Sequence, residues 1–191
     1  MATVVIPFRS GGKTRLPAAL RGELSLAMLG DVLEAAVDSV ARVRLVTDND
    51  AAELLAGRLG VEVVRDPGGG QAIAVAAALA GLDGPCLVVN ADLPCVSRAA
   101  LSQLGHSSPS LVPAADGTTN ALSLPEPERF VPLYGAGSAA RFAAVGFVAV
   151  SIPELEQDVD TLADLEQLSL PVGARTTAVV AHRKLLTASA S

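Results

Sequence analysis

Aromatic residues are scarce in this sequence, which has no Trp, one Tyr and four Phe among its 191 residues. Half of the residues are apolar, and most of these are Ala, Val and Leu. Aromatic-rich sandwiches and barrels are therefore disfavoured, whereas helices packed on a parallel sheet suit this composition. A chain of this length forms one domain with its own core, so we predict a single-domain α/β protein.

Cysteine is also scarce, because Cys86 and Cys95 are the only two. Two cysteines do not make a disulfide scaffold, and no cluster of other zinc ligands accompanies them. We therefore expect both thiols to fill space in the core.

The sequence has no excess of basic charge, since its formal net charge is −6. This balance argues against a general nucleic-acid-binding protein, although a local positive pocket would still suit a small anionic ligand. No apolar stretch is long enough to span a bilayer, and residues 1–8 lack the charged start and cleavage site of a signal peptide. We expect a cytoplasmic protein that binds neither nucleic acid nor membranes.

Strand and helix patterns alternate along most of the chain. Branched apolar runs predict strands at 3–7, 43–47, 61–64, 110–114 and 146–150, and a central strand that starts at Pro85. Helical spacing predicts helices at 24–40, 51–59, 72–82 and 99–104. The succession indicates a mostly parallel sheet flanked by helices, with residues 116–124 pairing in antiparallel fashion at an edge. We expect the domain to span residues 1–182, followed by a frayed tail.

The first long helix has a polar side that carries Asp31, Glu34 and Asp38. Charged residues opposite an apolar stripe are most simply exposed to water. We therefore interpret these three as a solvated face without a functional role.

The central strand ends abruptly at Asp92, and Pro94 follows closely. Open α/β sheets bind ligands at the carboxyl ends of their strands, where a carboxylate is well placed to hold a divalent cation. The alternative is that Asp92 caps the helix that begins near Ser97 or forms a turn before Pro94.

A glycine-rich basic loop directly follows the first strand and contains Gly11, Gly12, Lys13 and Arg15. Glycines let backbone N–H groups close on a phosphate, while Lys and Arg supply positive charge. The spacing differs from that of a Walker loop. We predict that this loop binds phosphate, with a solvated basic turn as the alternative.

A second glycine-rich loop, which includes Gly69 and Gly70, leads through Gln71 into an alanine-rich helix. Such glycines do little for stability but allow a flat or charged ligand to lie against the backbone. We predict that the loop faces a nucleobase or ribose, with Gln71 as a polar contact. A flexible connector is the alternative.

Three later segments contain further candidates. Residues 118–120 supply neutral hydrogen-bond donors. A glycine turn at 135–137 leads into a helix with Ser138 as its cap, and we expect the amino end of this helix to hold an anion, with Arg141 nearby. The alternative is that Ser138 only caps the helix and no anion binds there. Residues 158–165 contain carboxylates available for a metal, although Asp160 or Thr161 alternatively caps a helix.

The ordered set of these motifs resembles the CofC/FbiD family of guanylyltransferases, which act in the biosynthesis of coenzyme F-420. The resemblance covers nearly the whole chain through residues 6–8, 13–16, 26–29, 31–33, 91–94, 117–122, 134–135 with Ser138, 158–161 and 164–165. It implies a single-domain nucleotidyltransferase fold of the GT-A, Rossmann-like type. It also implies that the chain joins GMP from GTP to 2-phospho-L-lactate, phosphoenolpyruvate or 3-phosphoglycerate and releases pyrophosphate.

The resemblance further implies a role for each candidate on the nucleotide side. Lys13 and Arg15 would hold the GTP phosphates together with the glycines at 11 and 12 and would act in catalysis. The loop that contains Gly69, Gly70 and Gln71 would approach the guanosine.

On the other side of the implied site, Asp92 and Asp160 would carry Mg²⁺, and Asp92 would be catalytic. Thr119, Gly135 and Ser138 match the positions that bind the carboxylate and phosphate of the acceptor. The product would pass to the next enzyme of the pathway, and the oligomeric state stays open.

Two positions depart from the family pattern. Asn90 stands where members commonly carry a second carboxylate, and Gln71 stands where they carry an Asn. An amide is a weaker ligand than a carboxylate for a hard cation. Two alternatives therefore stay open: a molybdopterin- or sugar-type nucleotidyltransferase with another acceptor, and a catalytically inactive nucleotide-binding homologue.

Overall fold

The computed structural model describes residues 2–9, 16–39 and 42–188. Within these residues the strands are β1 Thr3–Pro7, β2 Arg42–Thr47, β3 Glu62–Arg65, β4 Cys86–Val89, β5 Ser110–Pro113, β6 Thr119–Leu124 and β7 Val148–Ala149. The helices are α1 Ala18–Ser39, α2 Asp50–Arg58, α3 Gln71–Leu79, α4 Arg98–Gly105, α5 Ser138–Ala144, α6 Pro153–Glu156, α7 Leu162–Gln167 and α8 Ala174–Ala188. A short 3-10 turn covers Pro127–Arg129.

All seven strands belong to one sheet with the order β3-β2-β1-β4-β6-β5-β7. Strands β3, β2, β1 and β4 run parallel to one another, and β7 runs parallel to β5. Among the described strands, only β6 runs antiparallel to its neighbours β4 and β5. The mostly parallel, mixed α/β sheet predicted from the sequence is therefore confirmed.

Strand β6 lies inside the sheet, between β4 and β5, so its predicted place at an edge was wrong. All six of its residues are buried, including the polar Thr119, Asn120 and Ser123. Local sequence predicts that such a strand exists but does not determine which strands flank it. Because β6 runs in reverse, its first residues lie at the edge of the sheet where β1 and β4 end.

Helices cover both faces of the sheet, as the alternation of side chains along β1 shows. Val4 and Ile6 pack on the face that α1, α2 and α4 cover. Val5 packs on the opposite face, against α3 and α5. The carboxyl ends of the parallel strands lie between these two helical layers, where they are accessible to a ligand.

Helix α1 carries a buried carboxylate on the side that was predicted to face water. Asp31 is only 5% exposed, and its two oxygens accept the backbone N–H groups of Arg175 and Thr176 at 2.9 Å each. The Arg175 guanidinium donates to Glu34 at 2.7 and 2.9 Å. The prediction was wrong for Asp31 because helical periodicity does not show that the amino end of α8 packs on this side of α1.

Helix α3 is held at its carboxyl end by Arg44, a buried residue of β2. One guanidinium nitrogen donates to the carbonyls of Ala78 and Ala80 at 2.7 and 3.0 Å, and another donates to Glu62 at 2.6 Å. Burial raises the pKa of Glu62, but hydrogen bonds and positive charge from Arg42 and Arg44 lower it by more, so the net pKa lies below its usual value. A cation at a helix carboxyl end is stabilising.

Cys86 and Cys95 are buried and free, which confirms their expected place in the core. Burial raises the pKa of each thiol to about 11, so both stay protonated at neutral pH. At the far end of the chain, helix α8 continues to Ala188, and the predicted boundary at residue 182 falls within it. In the part of the chain that the structure describes, none of the helices has the length and apolar character needed to cross a membrane.

Candidate active site

Two cavities meet at the carboxyl ends of the parallel strands. The first opens where β1 and β4 lie side by side, which is the point where the strand order reverses. Among the residues that the structure describes, its lining consists of Pro7, Phe8, Arg9, Ser25, Met28, Gln71, Asn90, Ala91 and Asp92. Open α/β sheets bind nucleotides at such a reversal point, so this cavity is the candidate nucleotide side of the site.

The second cavity shares Gln71, Asn90 and Asp92 with the first. The rest of its lining consists of Asp116, Thr118, Thr119, Asn120, Tyr134, Gly135, Ser138, Asp158 and Asp160. We call the three shared residues the common wall. A group that moves from a ligand in one cavity to a ligand in the other must pass this wall, where Asp92 lies.

Three carboxylates cluster at the second cavity. Asp92, Asp158 and Asp160 each place one oxygen within 4.8 Å of the other two, and all three are partly exposed. Oxygen ligands at this spacing suit a hard divalent cation. The sequence predicted Asp92 and Asp160 but did not single out Asp158 from the other acids of its segment.

Backbone hydrogen bonds join the two chain segments that supply these carboxylates. The N–H of Val159 donates to the carbonyl of Asp92 at 3.1 Å, which ties the 158–160 segment to the end of β4. The side chain of Asn120 donates to the Asp158 carboxylate at 3.4 Å and to the carbonyl of Glu156 at 3.2 Å. Asn120 thus helps to orient Asp158 toward the cluster.

The structure identifies the helix cap of the acidic segment, whereas metal binding by Asp160 stays a prediction. Thr161 is the N-cap of α7, and Asp164 completes a capping box by accepting from the backbone N–H groups of Asp160 and Thr161 at 2.9 and 2.7 Å. Asp164 therefore serves the helix, whereas the Asp160 side chain belongs to the carboxylate cluster.

Asp92 likewise does not cap the helix that follows it. Ser97 is the N-cap of α4, and its hydroxyl accepts the backbone N–H of Ala100 at 3.1 Å. The carboxylate of Asp92 lies at the common wall and belongs to the carboxylate cluster; that it holds a metal ion stays a prediction.

A buried pair of hydroxyls lies on the other side of the second cavity. Thr119 Oγ1 and Ser138 Oγ are 3.0 Å apart, and both side chains are almost fully buried. The N–H of Ser138 donates to the carbonyl of Gly135 at 3.0 Å. The structure therefore brings together Thr119, Gly135 and Ser138, the three residues that the sequence assigned to one acceptor site.

The start of α5 differs in detail from the prediction. Gly137, with φ of 69°, is the N-cap, and Ser138 is the first helical residue. A left-handed φ of this size favours glycine. The Arg141 guanidinium donates to the carbonyls of Leu133, Tyr134 and Ala136. Arg141 therefore holds the loop that precedes α5, rather than lying ready for an anion.

Most of the few aromatic residues support this loop. The rings of Phe130, Tyr134, Phe142 and Phe147 form a chain of tilted and edge-on contacts, with centroids 5.3 to 6.1 Å apart. Burial raises the pKa of Tyr134, so its phenol stays neutral at physiological pH. Tyr134 lines the second cavity, and the other three rings pack behind it.

The second glycine-rich loop leads into Gln71, which lines the first cavity; its contact with a nucleobase or ribose stays a prediction. Gly69 and Gly70 have φ of 85° and 108°, a left-handed region that other residues rarely adopt. The buried Asp66 accepts the N–H of Gly68 at 2.8 Å and forms a 3.0 Å ion pair with Arg9. Arg9 lines the first cavity, and its position directly after β1 was the sequence signal for it.

The two positions that depart from the family pattern are in direct contact. The Gln71 side chain donates to Asn90 Oδ1 at 2.7 Å, and Asn90 Nδ2 donates to the carbonyl of Thr119 at 3.2 Å. Both amides lie in the common wall.

Four of the predicted nucleotide-binding residues, Gly11, Gly12, Lys13 and Arg15, lie outside the described residues. Their assignment to the GTP phosphates stays a prediction. Residues 9 and 16 flank this segment, and Arg9 lines the first cavity.

Comparison with known proteins identifies a family whose members resemble this chain. The family model described as "Guanylyl transferase CofC like" matches residues 2–142. This match contains Asp92 and ends before Asp158 and Asp160. A phosphoenolpyruvate guanylyltransferase of Streptomyces coelicolor is 35% identical over 94% of this chain and 96% of its own length. Its counterpart from Geodermatophilus obscurus is 36% identical over 93% of each chain.

Solved structures with the same fold are more distant in sequence. A Desulfovibrio desulfuricans G20 protein described as a nucleotide-diphospho-sugar transferase has a TM-score of 0.72 at 18% identity, over 97% of both chains. A nucleotidyl transferase from Methanothermobacter thermautotroptrophicus has a TM-score of 0.65 at 17% identity, over 87% of this chain and 95% of its own. At these identities the likeness establishes the nucleotidyltransferase fold.

Proposed function

The chain belongs to the CofC-like guanylyltransferase family, and on that premise we propose that it transfers GMP from GTP to phosphoenolpyruvate with the help of Mg²⁺. It is a nucleotidyltransferase by family and by fold. The proposal concerns which acceptor and which metal the chain uses, and which residues bind them.

One observation carries the proposal: the three-carboxylate cluster lies where the two cavities meet. Asp92 belongs both to the cluster and to the common wall. A nucleotide in the first cavity and an acceptor in the second would place their reacting phosphates beside it. Transfer between two bound phosphates needs this kind of shared edge, because positioning contributes much of the catalysis.

The residues at this edge fit a magnesium ion. Asp92, Asp158 and Asp160 offer hard oxygen ligands, and Mg²⁺ is usually bound by one or two carboxylates together with substrate phosphates. Bound Mg²⁺ would offset the negative charge of the phosphates that meet at the common wall.

In the proposed reaction a phosphate oxygen of the acceptor attacks the α-phosphorus of GTP. The bond from the α-phosphorus to the bridging oxygen of the β-phosphate breaks, and pyrophosphate leaves. The transfer needs no covalent intermediate on a side chain. The hydroxyls of Thr119 and Ser138 hold the acceptor, while Arg9 and the predicted Lys13 and Arg15 supply positive charge to the GTP phosphates.

The choice of phosphoenolpyruvate draws on the relatives. Both relatives described above are named for that acceptor. The family resemblance also includes 2-phospho-L-lactate and 3-phosphoglycerate, and all three acids carry the carboxylate and phosphate that the Thr119–Ser138 side would bind. With this acceptor the chain would act in the biosynthesis of coenzyme F-420, in the cytoplasm, and pass its product to the next enzyme.

The proposal is tested by measuring pyrophosphate release from GTP and Mg²⁺ with each of the three acids. We expect release with phosphoenolpyruvate at a higher kcat/KM than with the other two. Greater activity with another acid would change the acceptor and keep the reaction. If GTP binds but none of the acids reacts, the chain is an inactive nucleotide-binding homologue and the proposal fails.

Ser138→Ala should weaken the acceptor side selectively. The change removes a buried hydroxyl beside Thr119, and a hydrogen bond to an anionic ligand is worth about 1.5–3 kcal/mol. We therefore expect the KM for the acceptor to rise about tenfold or more, with little change in the KM for GTP. An equal rise in both KM values would contradict the assignment of the second cavity to the acceptor.

A further inference from the structure

Asn90 is the second of four residues in a hydrogen-bonded chain that crosses the site. The chain runs from Gln71 at the start of α3 to Asn90, from Asn90 to Thr119, and from the Thr119 hydroxyl to Ser138 at the start of α5. Its three donor–acceptor distances are 2.7, 3.2 and 3.0 Å. It therefore connects the glycine-rich nucleotide loop with the hydroxyl pair of the second cavity.

The orientation of both amides follows from the chemistry of their partners. The backbone carbonyl of Thr119 can only accept a hydrogen bond, so Asn90 must turn its NH₂ group toward it. The Asn90 oxygen is then left for Gln71, which must present its own NH₂ group. Asn90 therefore uses its donor and its acceptor at the same time, the acceptor toward Gln71 and the donor toward Thr119.

A carboxylate in place of Asn90 could make only one of these two contacts. It would still accept from Gln71, but it would set an oxygen against the Thr119 carbonyl at a donor–acceptor distance of 3.2 Å. It would also add a negative charge close to the cluster of Asp92, Asp158 and Asp160, where like charges disfavour one another.

We propose that Asn90 is a positioning residue that ties the nucleotide side of the site to the acceptor side, through a contact with Thr119 that a carboxylate here would lose. The inference rests on the proposed assignment of the two cavities to GTP and the acceptor. It explains why this chain has Asn90 where family members commonly carry a carboxylate, since Asn90 acts through Gln71 and Thr119 and not as a ligand of the ion.

Two variants of similar size separate the two contacts. Asn90→Asp keeps the acceptor for Gln71 and loses the donor for Thr119, whereas Asn90→Leu loses both contacts without adding charge. At saturating Mg²⁺ we expect Asn90→Asp to raise the acceptor KM at least about tenfold and the GTP KM by less than about threefold. Asn90→Leu should raise both KM values.

Two kinetic outcomes would overturn the inference. If Asn90 were a weakened metal ligand, Asn90→Asp would match or exceed the wild type and reach half-maximal activity at a lower Mg²⁺ concentration. If only charge mattered, Asn90→Leu would keep the acceptor KM of the wild type.

A measurement without substrates separates this inference from the proposed function. Urea unfolding of Asn90→Leu, Gln71→Leu and the double variant should show a double loss smaller than the sum of the single losses, because one hydrogen bond joins the two side chains. Gln103→Leu, at an exposed position of α4, should combine additively with Asn90→Leu. Additive losses for Gln71 and Asn90 would refute the link, whereas a wild type inactive with every acceptor would refute the proposed function.

Discussion

Asp92→Asn is expected to lower kcat for pyrophosphate release about a thousandfold, because an ion held at this site supplies several kcal/mol of transition-state stabilisation. The change keeps the size of the side chain and removes the charge of the one carboxylate that lies both in the cluster and in the common wall. The measurement is a pyrophosphate assay at saturating GTP, acceptor and Mg²⁺. Calorimetric titration with Mn²⁺ should show weakened binding in the same variant.

A matched control is Asp48→Asn, the same substitution just beyond the end of the parallel strand β2. Asp48 is exposed and lies outside the lining of both cavities. Because Asp48 lines neither cavity, its replacement should leave transition-state stabilisation intact, and kcat should stay within about twofold of the wild type. Similar losses in both variants, or full activity of Asp92→Asn, would show that the carboxylate at position 92 does not hold a catalytic ion.

Asp31→Ala is expected to lower the free energy of unfolding by about 3 kcal/mol, which is the scale for leaving two buried N–H donors without acceptors. The affected donors are the first N–H groups of α8, on Arg175 and Thr176. For a chain of this size the loss corresponds to a fall in Tm of about 6–12 °C. Urea and thermal unfolding measure both quantities. Asp31→Asn, which keeps one acceptor oxygen, should fall between alanine and the wild type.

Asp38→Ala provides the comparison on the same helix. Asp38 is exposed on α1, and its replacement should change the free energy of unfolding by about 0.5 kcal/mol or less. Equal destabilisation by the two alanine variants would mean that the contact between Asp31 and α8 contributes nothing to stability.

The sequence predicted the central carboxylate of the site because two local signals coincide there. An apolar strand ends at Asp92, and open α/β sheets bind ligands at that edge. Asp158 gave no such signal, since its segment contains several carboxylates at short spacing. Only the folded backbone shows that Asp164 is turned toward its own helix and Asp158 toward the cluster.

Asp31 and β6 show that local sequence patterns do not predict contacts with distant parts of the chain. The helical period correctly predicts which face of α1 packs on the sheet, but it carries no information about a helix more than a hundred residues later. Similarly, residues 119–124 have the composition of a strand, and their place between β4 and β5 depends on pairing partners that are distant in the chain. Both features arise from tertiary packing, which overrides simple polarity.

The hydrogen bond from Val159 to Asp92 has a consequence for how the protein acquires activity during its synthesis. The carboxylates of the cluster come from two segments separated by α4, β5, β6, α5, β7 and α6. On the ribosome, a nascent chain that has folded the sheet as far as β6 still lacks two of the three carboxylates of this cluster. Competence for the reaction would therefore arise late and in one step, when the segment around residue 160 emerges and docks against the end of β4.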